Sequence, residues 1–196
     1  MLIIKHRVND ISSLLLCDKS FGVEIDIRSK NGELILAHEP YVNGELFNKW
    51  LDYYNHSFIV LNIKEEGLED RILESMESKG ITNFFFLDNT FPFLLKTAMK
   101  GENRIAGRYS AFESVNTILN INKLIKWVWV DTFTHFSLNH TDYKLIKNAG
   151  LKICIVSPEL IDFNRKNEIF EIKNKIESSR FKIDAVCTKL PKYWHE

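Results

Sequence analysis

The chain has 196 residues, 45% hydrophobic and 27% charged, an ordinary globular composition with enough apolar residues for a sizeable core. Basic and acidic residues balance at 26 each, which excludes a strong overall field drawing the protein to nucleic acid or to anionic lipid. Any recognition of a charged group must then come from a local cluster. Nothing approaches the length of a membrane span, and the N-terminal Met-Leu-Ile-Ile is too short for a secretion signal. Cys17, Cys154 and Cys187 are odd in number and scattered, without metal-type spacing, which suggests a reducing compartment. The expectation is a soluble cytoplasmic protein without membrane insertion.

Short apolar runs rich in β-branched and aromatic residues recur along the chain: Leu2–Lys5, Gly22–Ile27, Phe58–Ile63, Asn83–Leu87, Arg104–Gly107, Trp127–Asp131, Lys152–Val156 and Ile183–Cys187. Their starts are 20 to 36 residues apart, the length of a strand followed by a short helix. The stretches between them carry apolar residues at helical spacing: Leu46, Trp50, Leu51 and Tyr54; then Leu68, Ile72 and Met76; then Leu138, Leu145 and Ile146. Ala149-Gly150 reads as a helix C-terminus. Alternating strand and helix means a parallel sheet, and eight units predict a compact (β/α)8 TIM barrel formed as a single domain, 1–196. The chain is short for that fold, which typically takes about 250 residues. An open doubly wound sheet is the alternative, although no glycine-rich turn follows the first strand as its nucleotide-binding version would need.

In a barrel of this kind reactive residues lie at the C-terminal ends of the strands. Those ends read His6-Arg7, Glu24-Ile-Asp26, Asn62-Ile-Lys64, Asp88-Asn89, Arg108, Asp131, Ser157 and Thr188-Lys189, a heavily ionisable collection. Glu24 and Asp26 are two apart on a strand, so both face one way, and two such carboxylates repel unless a cation joins them. Paired oxygens of this type suit Mg²⁺ or Ca²⁺. Asn31-Gly32 signals a hairpin that returns the chain towards His38. A two-residue loop would pair His38 with Ile25, whereas a three-residue loop, Lys30-Asn31-Gly32, would pair it with Glu24 and set it beside the carboxylates; the second arrangement is expected. His56, His135, His140 and His195 stand in no constellation.

The string His6-Arg7, Gly-Val-Glu24-Ile-Asp26-Ile and Asn-Gly-Glu-Leu-Ile-Leu-Ala-His38 resembles the glycerophosphodiester phosphodiesterases, within the wider group of phospholipase-C-like barrels. In that family a His-Arg pair ends the first strand, a Glu-x-Asp pair binds metal and a histidine follows a short turn. A Glu-x-Lys ends the third strand and a Thr-x-x-Pro the eighth, where Thr188-Lys-Leu-Pro191 stands here. The likeness is strongest over the first 64 residues and returns in the last ten. Three departures stand out: Asn62 replaces the third-strand glutamate, Glu39 follows His38 where an aspartate is usual, and the turn before His38 is about one residue shorter.

The resemblance implies a divalent metal, Mg²⁺ or Ca²⁺, held by Glu24, Asp26 and Asn62. His6 and His38 would exchange protons with the attacking and leaving oxygens, the sequence leaving open which is the base, and Arg7 and Lys64 would clamp the phosphate. Arg108 and Asp131 are second-tier candidates. The implied partner is a small phosphodiester of glycerophosphodiester type, as in lipid metabolism, and the products follow from hydrolysis or from release of a cyclic phosphate. Lys64 is equally well read as the start of a solvated helix, Lys64-Glu-Glu. Short loops and the lack of an evident apolar loop for gripping a bilayer favour a water-soluble diester, or the phosphodiester linkage of a surface polymer precursor, over a membrane phospholipid. The competing classes are a non-catalytic phosphodiester-binding barrel, motivated by Asn62, and another barrel enzyme whose likeness is accidental.

Overall fold

A computed structural model describes residues 1–195 and shows an α/β fold rich in parallel strands. It divides into two compact units, one running from Ile4 to Arg104, the other combining Met1–Ile3 with the chain from Ile105 onward. All eight expected strands are present, with their ends moved by up to a few residues.

In the first unit β1 (Leu2–Lys5) pairs in parallel with β2 (Gly22–Lys30), matching Ile4 with Gly22. β2 also turns into an antiparallel hairpin with β3 (Glu33–Leu36), which in turn pairs with the two-residue β4 (Glu45–Leu46). On β2's other edge β5 (Ile59–Ile63) pairs in parallel, setting Glu24 beside Val60 and Asp26 beside Asn62, and β6 (Phe84–Leu87) follows it. The short helices α1 (Ile11–Leu16) and α2 (Phe47–Leu51) and the longer α3 (Glu69–Ser78) and α4 (Phe91–Met99) alternate with these strands. Asp10 starts α1 by accepting the Ser13 N–H at 2.7 Å. Residues Val23, Ile25 and Ile27 of β2 are fully buried on one face while Glu24 and Asp26 are fully buried on the other. A strand covered on both faces must carry apolar side chains on the face that meets helices, so the carboxylates on its second face need an electrostatic reason.

Leu46, expected on a helix, lies in β4 opposite Ile35, because the chain after His38 returns along β3 before α2 begins. Gly44 allows that return: a Cβ there would lie 2.2 Å from the Leu36 carbonyl oxygen, so only glycine fits the approach.

The hairpin register departs from expectation. Lys30 pairs with Glu33, Ser29 with Leu34, Arg28 with Ile35 and Ile27 with Leu36, so the loop is the two-residue Asn31-Gly32. Both residues have positive φ, 51° and 83°, as a type I′ turn requires; its twist matches that of the flanking strands, and this outweighs the three-residue alternative. β3 stops at Leu36, so the ladder itself does not bring His38 beside Glu24.

The second unit contains the parallel strands β7 (Ala106–Tyr109), β8 (Trp127–Val130), β9 (Lys152–Val156) and β10 (Ala185–Thr188), paired in that order. Between them run α5 (Val115–Asn120), α6 (His140–Asn148) and α7 (Glu168–Ser178). Asn139 caps α6 by accepting the Asp142 N–H at 2.9 Å, which places Leu138 just before the helix; Leu138 is fully buried there. No helix of the described residues is long and apolar enough to cross a membrane.

Candidate functional site

The segment just past β1, one face of β2 and the end of β5 bring His6, Arg7, Glu24, Asp26, Asn62 and Lys64 together. β1 runs out at Lys5, and Arg7 then takes a left-handed backbone, φ 53°, which turns its N–H onto Glu24 Oε2 at 2.8 Å. Such a conformation costs a non-glycine residue about 1–3 kcal/mol and persists only where the surroundings impose it. His6 Nε2 lies 3.7 Å from the same oxygen, and the Arg7 Nε lies 3.8 Å from Asp26 Oδ2. Asn62 donates from Nδ2 to Glu24 Oε1 at 2.9 Å. Lys64 is not at a helix start, since α3 begins at Glu69; its Nζ is 3.4 Å from Asp26 Oδ1 and 3.3 Å from Asp88 Oδ2. Asp88, at the end of β6, also has positive φ, 62°.

The electrostatics are unbalanced. Burial first, then the charge of Asp26, pushes Glu24's carboxyl up to about 7, although hydrogen bonds from Asn62 and the Arg7 N–H and the charge of Lys64 act against the rise. Asp26 Oδ1 and Asn62 Oδ1 are buried, and no hydrogen-bond donor among the described residues is aligned with either. Lys64 is near Asp26 Oδ1 as an ion pair only. Two carboxylates and an amide, with two oxygens left in this state, form a hard oxygen donor set that fits a divalent cation. No group of three His, Cys, Asp or Glu side chains among the described residues is placed to hold a metal, and a set built on Glu24 and Asp26 would need the Asn62 amide oxygen as a third donor.

His38 belongs to the same region by a different route. Its Nδ1 lies 2.6 Å from Glu39 Oε1. That bond and the imidazole charge hold Glu39 below the usual carboxylate range, with smaller contributions from the charges of Arg7 and Arg28. A His–carboxylate pair of this kind fixes which ring nitrogen carries the proton.

Two residues at the site carry no motif signal. Asn9 donates from Nδ2 to Asp26 Oδ2 at 2.8 Å and accepts the Asp26 N–H at 2.9 Å, a two-point clamp on the carboxylate. Arg28 donates to the backbone carbonyls of both His38 and Lys64. A clue to Arg28 is its place two residues beyond Asp26, hence on the same face of β2; Asn9 could be found only from the path of the chain after β1.

In the second unit Arg108 and Asp131 form a close charge pair with each other, and Arg108 also sits 3.7 Å from Glu113 and 5.5 Å from the Phe133 ring centre. Thr188 serves a buried network: it donates to Glu159 Oε1 at 2.6 Å, which also accepts the Lys189 N–H at 3.0 Å. The expected lack of exposed apolar loops does not hold. Phe112, Phe133 and Phe163 are 74%, 40% and 56% exposed on the segments after β7, β8 and β9, with the Phe112 and Phe133 rings 6.4 Å apart. Composition and spacing do not report this exposure, which depends on what packs over these rings among the described residues.

Fold and site thus define an α/β protein rich in parallel strands, with a buried acidic cluster approached by His6, Arg7 and Lys64 and with His38 on the segment after β3. Neither a family model nor a curated protein sequence matches the chain. Solved structures do. A glycerophosphodiester phosphodiesterase from Agrobacterium tumefaciens str. C58 is similar over 100% of both chains, with TM-score 0.69 and 11% identity. A glycerophosphoryl diester phosphodiesterase from Parabacteroides distasonis ATCC 8503 is similar over 96% of this chain and 82% of its own, with TM-score 0.65 and 11% identity. The chain has the fold of the glycerophosphodiester phosphodiesterases.

Proposed function

We propose that this protein is a metal-dependent phosphodiesterase acting on a small glycerophosphodiester-like substrate. The observation that carries the reading is the buried Glu24–Asp26–Asn62 cluster with Arg7 and Lys64 set against it, on a chain with this fold. The reading includes a single catalytic domain with eight strands closed as a (β/α)8 barrel, supported by the full-length likeness to a phosphodiesterase.

Glu24, Asp26 and Asn62 would hold Mg²⁺ or Ca²⁺, which when bound supplies charge neutralisation for the phosphate and a lower pKa for an attacking hydroxyl. Arg7 offers the phosphate a planar fork and Lys64 a point charge. His6 and His38 exchange protons with the attacking and leaving oxygens, and Glu39 keeps the His38 ring in one orientation. Asn9 holds Asp26 against rotation. Arg108 and Asp131 are auxiliary, their charges already opposed to each other. Attack by a neighbouring hydroxyl of the substrate would give a cyclic phosphate; attack by water would give a monoester directly.

Phosphorus NMR of soluble phosphodiesters incubated with the protein, with Mg²⁺ or Ca²⁺ and again with chelator, tests this. The expected result is a monoester or cyclic-phosphate signal that disappears with chelator and in His38→Ala. Tight phosphodiester binding with no turnover under any condition would instead favour a binding protein. The Asn62 amide, which turns a donor towards Glu24 where a third carboxylate would add charge, is the observation on that side.

A further inference from the structure

We infer that Arg28 is a positioning residue that sets His38 and Lys64 in register with each other, an inference that rests on the phosphodiesterase reading above. Alternation along β2 puts Glu24, Asp26 and Arg28 on one face. The first two present carboxylates; the third spends its donors on backbone. Arg28 Nε and Nη2 donate to the His38 carbonyl at 3.1 and 3.0 Å, and Nη1 donates to the Lys64 carbonyl at 3.2 Å. Glu65 secures this buckle to its own strand: its Oε1 lies 3.6 Å from Arg28 Nη1, and its Oε2 accepts the Ser29 N–H and hydroxyl at 3.0 and 2.6 Å.

The buckle matters because of where the hairpin ladder ends. β3 pairs only as far as Leu36, and one more backbone bond, from the Ala37 N–H to the Asp26 carbonyl at 3.0 Å, carries the chain to the threshold of His38. Beyond that the segment turns away through Tyr41, whose φ is 63° and whose side chain is 99% exposed. At this turning point the Arg28 fork holds the His38 carbonyl. Lys64 stands just past the last residue of β5, tied by its N–H to the Ile27 carbonyl at 3.0 Å, and the same guanidinium takes its carbonyl. One rigid planar group therefore joins the segments that carry a proton-transfer residue and a phosphate clamp. Lysine, a single point charge on a flexible stem, cannot reproduce a fork across two carbonyls.

The test uses Arg28→Ala and Arg28→Lys in the full chain, with two readouts. In the turnover assay Arg28→Ala is expected to lower kcat about 100-fold, the scale of a displacement near 1 Å at a reacting group, with KM within about threefold. Added guanidinium ion should recover about tenfold of that loss, and Arg28→Lys should fall between wild type and alanine. In nitrogen-15 NMR of the histidine rings at fixed pH, assigned with His38→Ala, the His38 signals should move in both variants while those of His56 stay. A kcat within about threefold of wild type in a folded variant, or unmoved His38 signals, overturns the inference. A wild-type protein that turns over no diester, with His38 signals that still move, overturns the phosphodiesterase reading and supports the placement by Arg28. If the alanine variant does not fold, the lysine variant carries both readouts.

Discussion

Glu159, just past β9, and Glu24, on β2, are both buried carboxylates hydrogen-bonded on each oxygen, and the difference lies in the groups around them. Glu159 follows β9 and has its carboxylate answered on both oxygens: Ser157 makes a very short bond to one, while Thr188 and the Lys189 N–H serve the other. Ser157 is itself held by the Trp194 indole at 2.9 Å. Glu24 shares its site with a second carboxylate, its proton affinity is raised, and the neighbouring Asp26 Oδ1 and Asn62 Oδ1 lack an aligned donor. A complete buried network stabilises and specifies a fold; an incomplete one costs stability and is kept where something else uses it. By that criterion the network at the end of β10 is complete, and the incomplete one is the face of β2 and β5 on which the proposed chemistry rests.

The sharpest way to break this contrast is a pair of isosteric changes. Asp26→Asn should lower phosphodiester turnover by at least about 100-fold, the scale of losing one preorganised electrostatic group, while leaving thermal stability unchanged or raised. Glu159→Gln should do the reverse, costing on the order of 2 kcal/mol in denaturant unfolding with turnover within about twofold. Equal behaviour of the two variants would erase the distinction.

A second test uses pH. Glu24 holds its proton more tightly folded than unfolded, so between its ordinary value of 4.5 and about 7 the native state binds the extra proton. Metal-free protein should therefore lose stability as pH rises through that window, by on the order of 3 kcal/mol when complete. Glu24→Gln should flatten this part of the unfolding profile. Chelated wild type that instead gains stability from pH 5 to 7.5 would show that another group dominates.

The smallest expected effect sharpens the role of the amide. Asn62→Asp restores a third carboxylate and should tighten Ca²⁺ or Mg²⁺ binding about tenfold, roughly 1.4 kcal/mol, by calorimetry. Unchanged affinity would place Asn62 outside the donor set.

Sequence and structure divide unevenly over this molecule. The eight parallel strands are legible because β-branched and aromatic runs at βα spacing report burial directly, and the run Val23, Ile25, Ile27 shows a strand covered by helices. The cluster at Glu24, Asp26, Asn62 and Lys64 is legible for the same reason: alternation places strand residues on known faces, and adjacent parallel strands bring equivalent faces together.

The hairpin turn was not settled by that logic, since Asn31-Gly32 is compatible with either loop length and one residue of slip inverts every side chain. Only the pairing of Lys30 with Glu33 decides it. The exposure of Phe112 and Phe163 likewise depends on what fails to pack over them. Residue types and their periodicity determined the strands and the acidic face by themselves, because side-chain direction in a strand is a local property. The placement of His38 through Arg28, the Asn9 clamp and the contrast between Glu24 and Glu159 were decided by tertiary structure alone, because each depends on hydrogen bonds between segments remote in sequence.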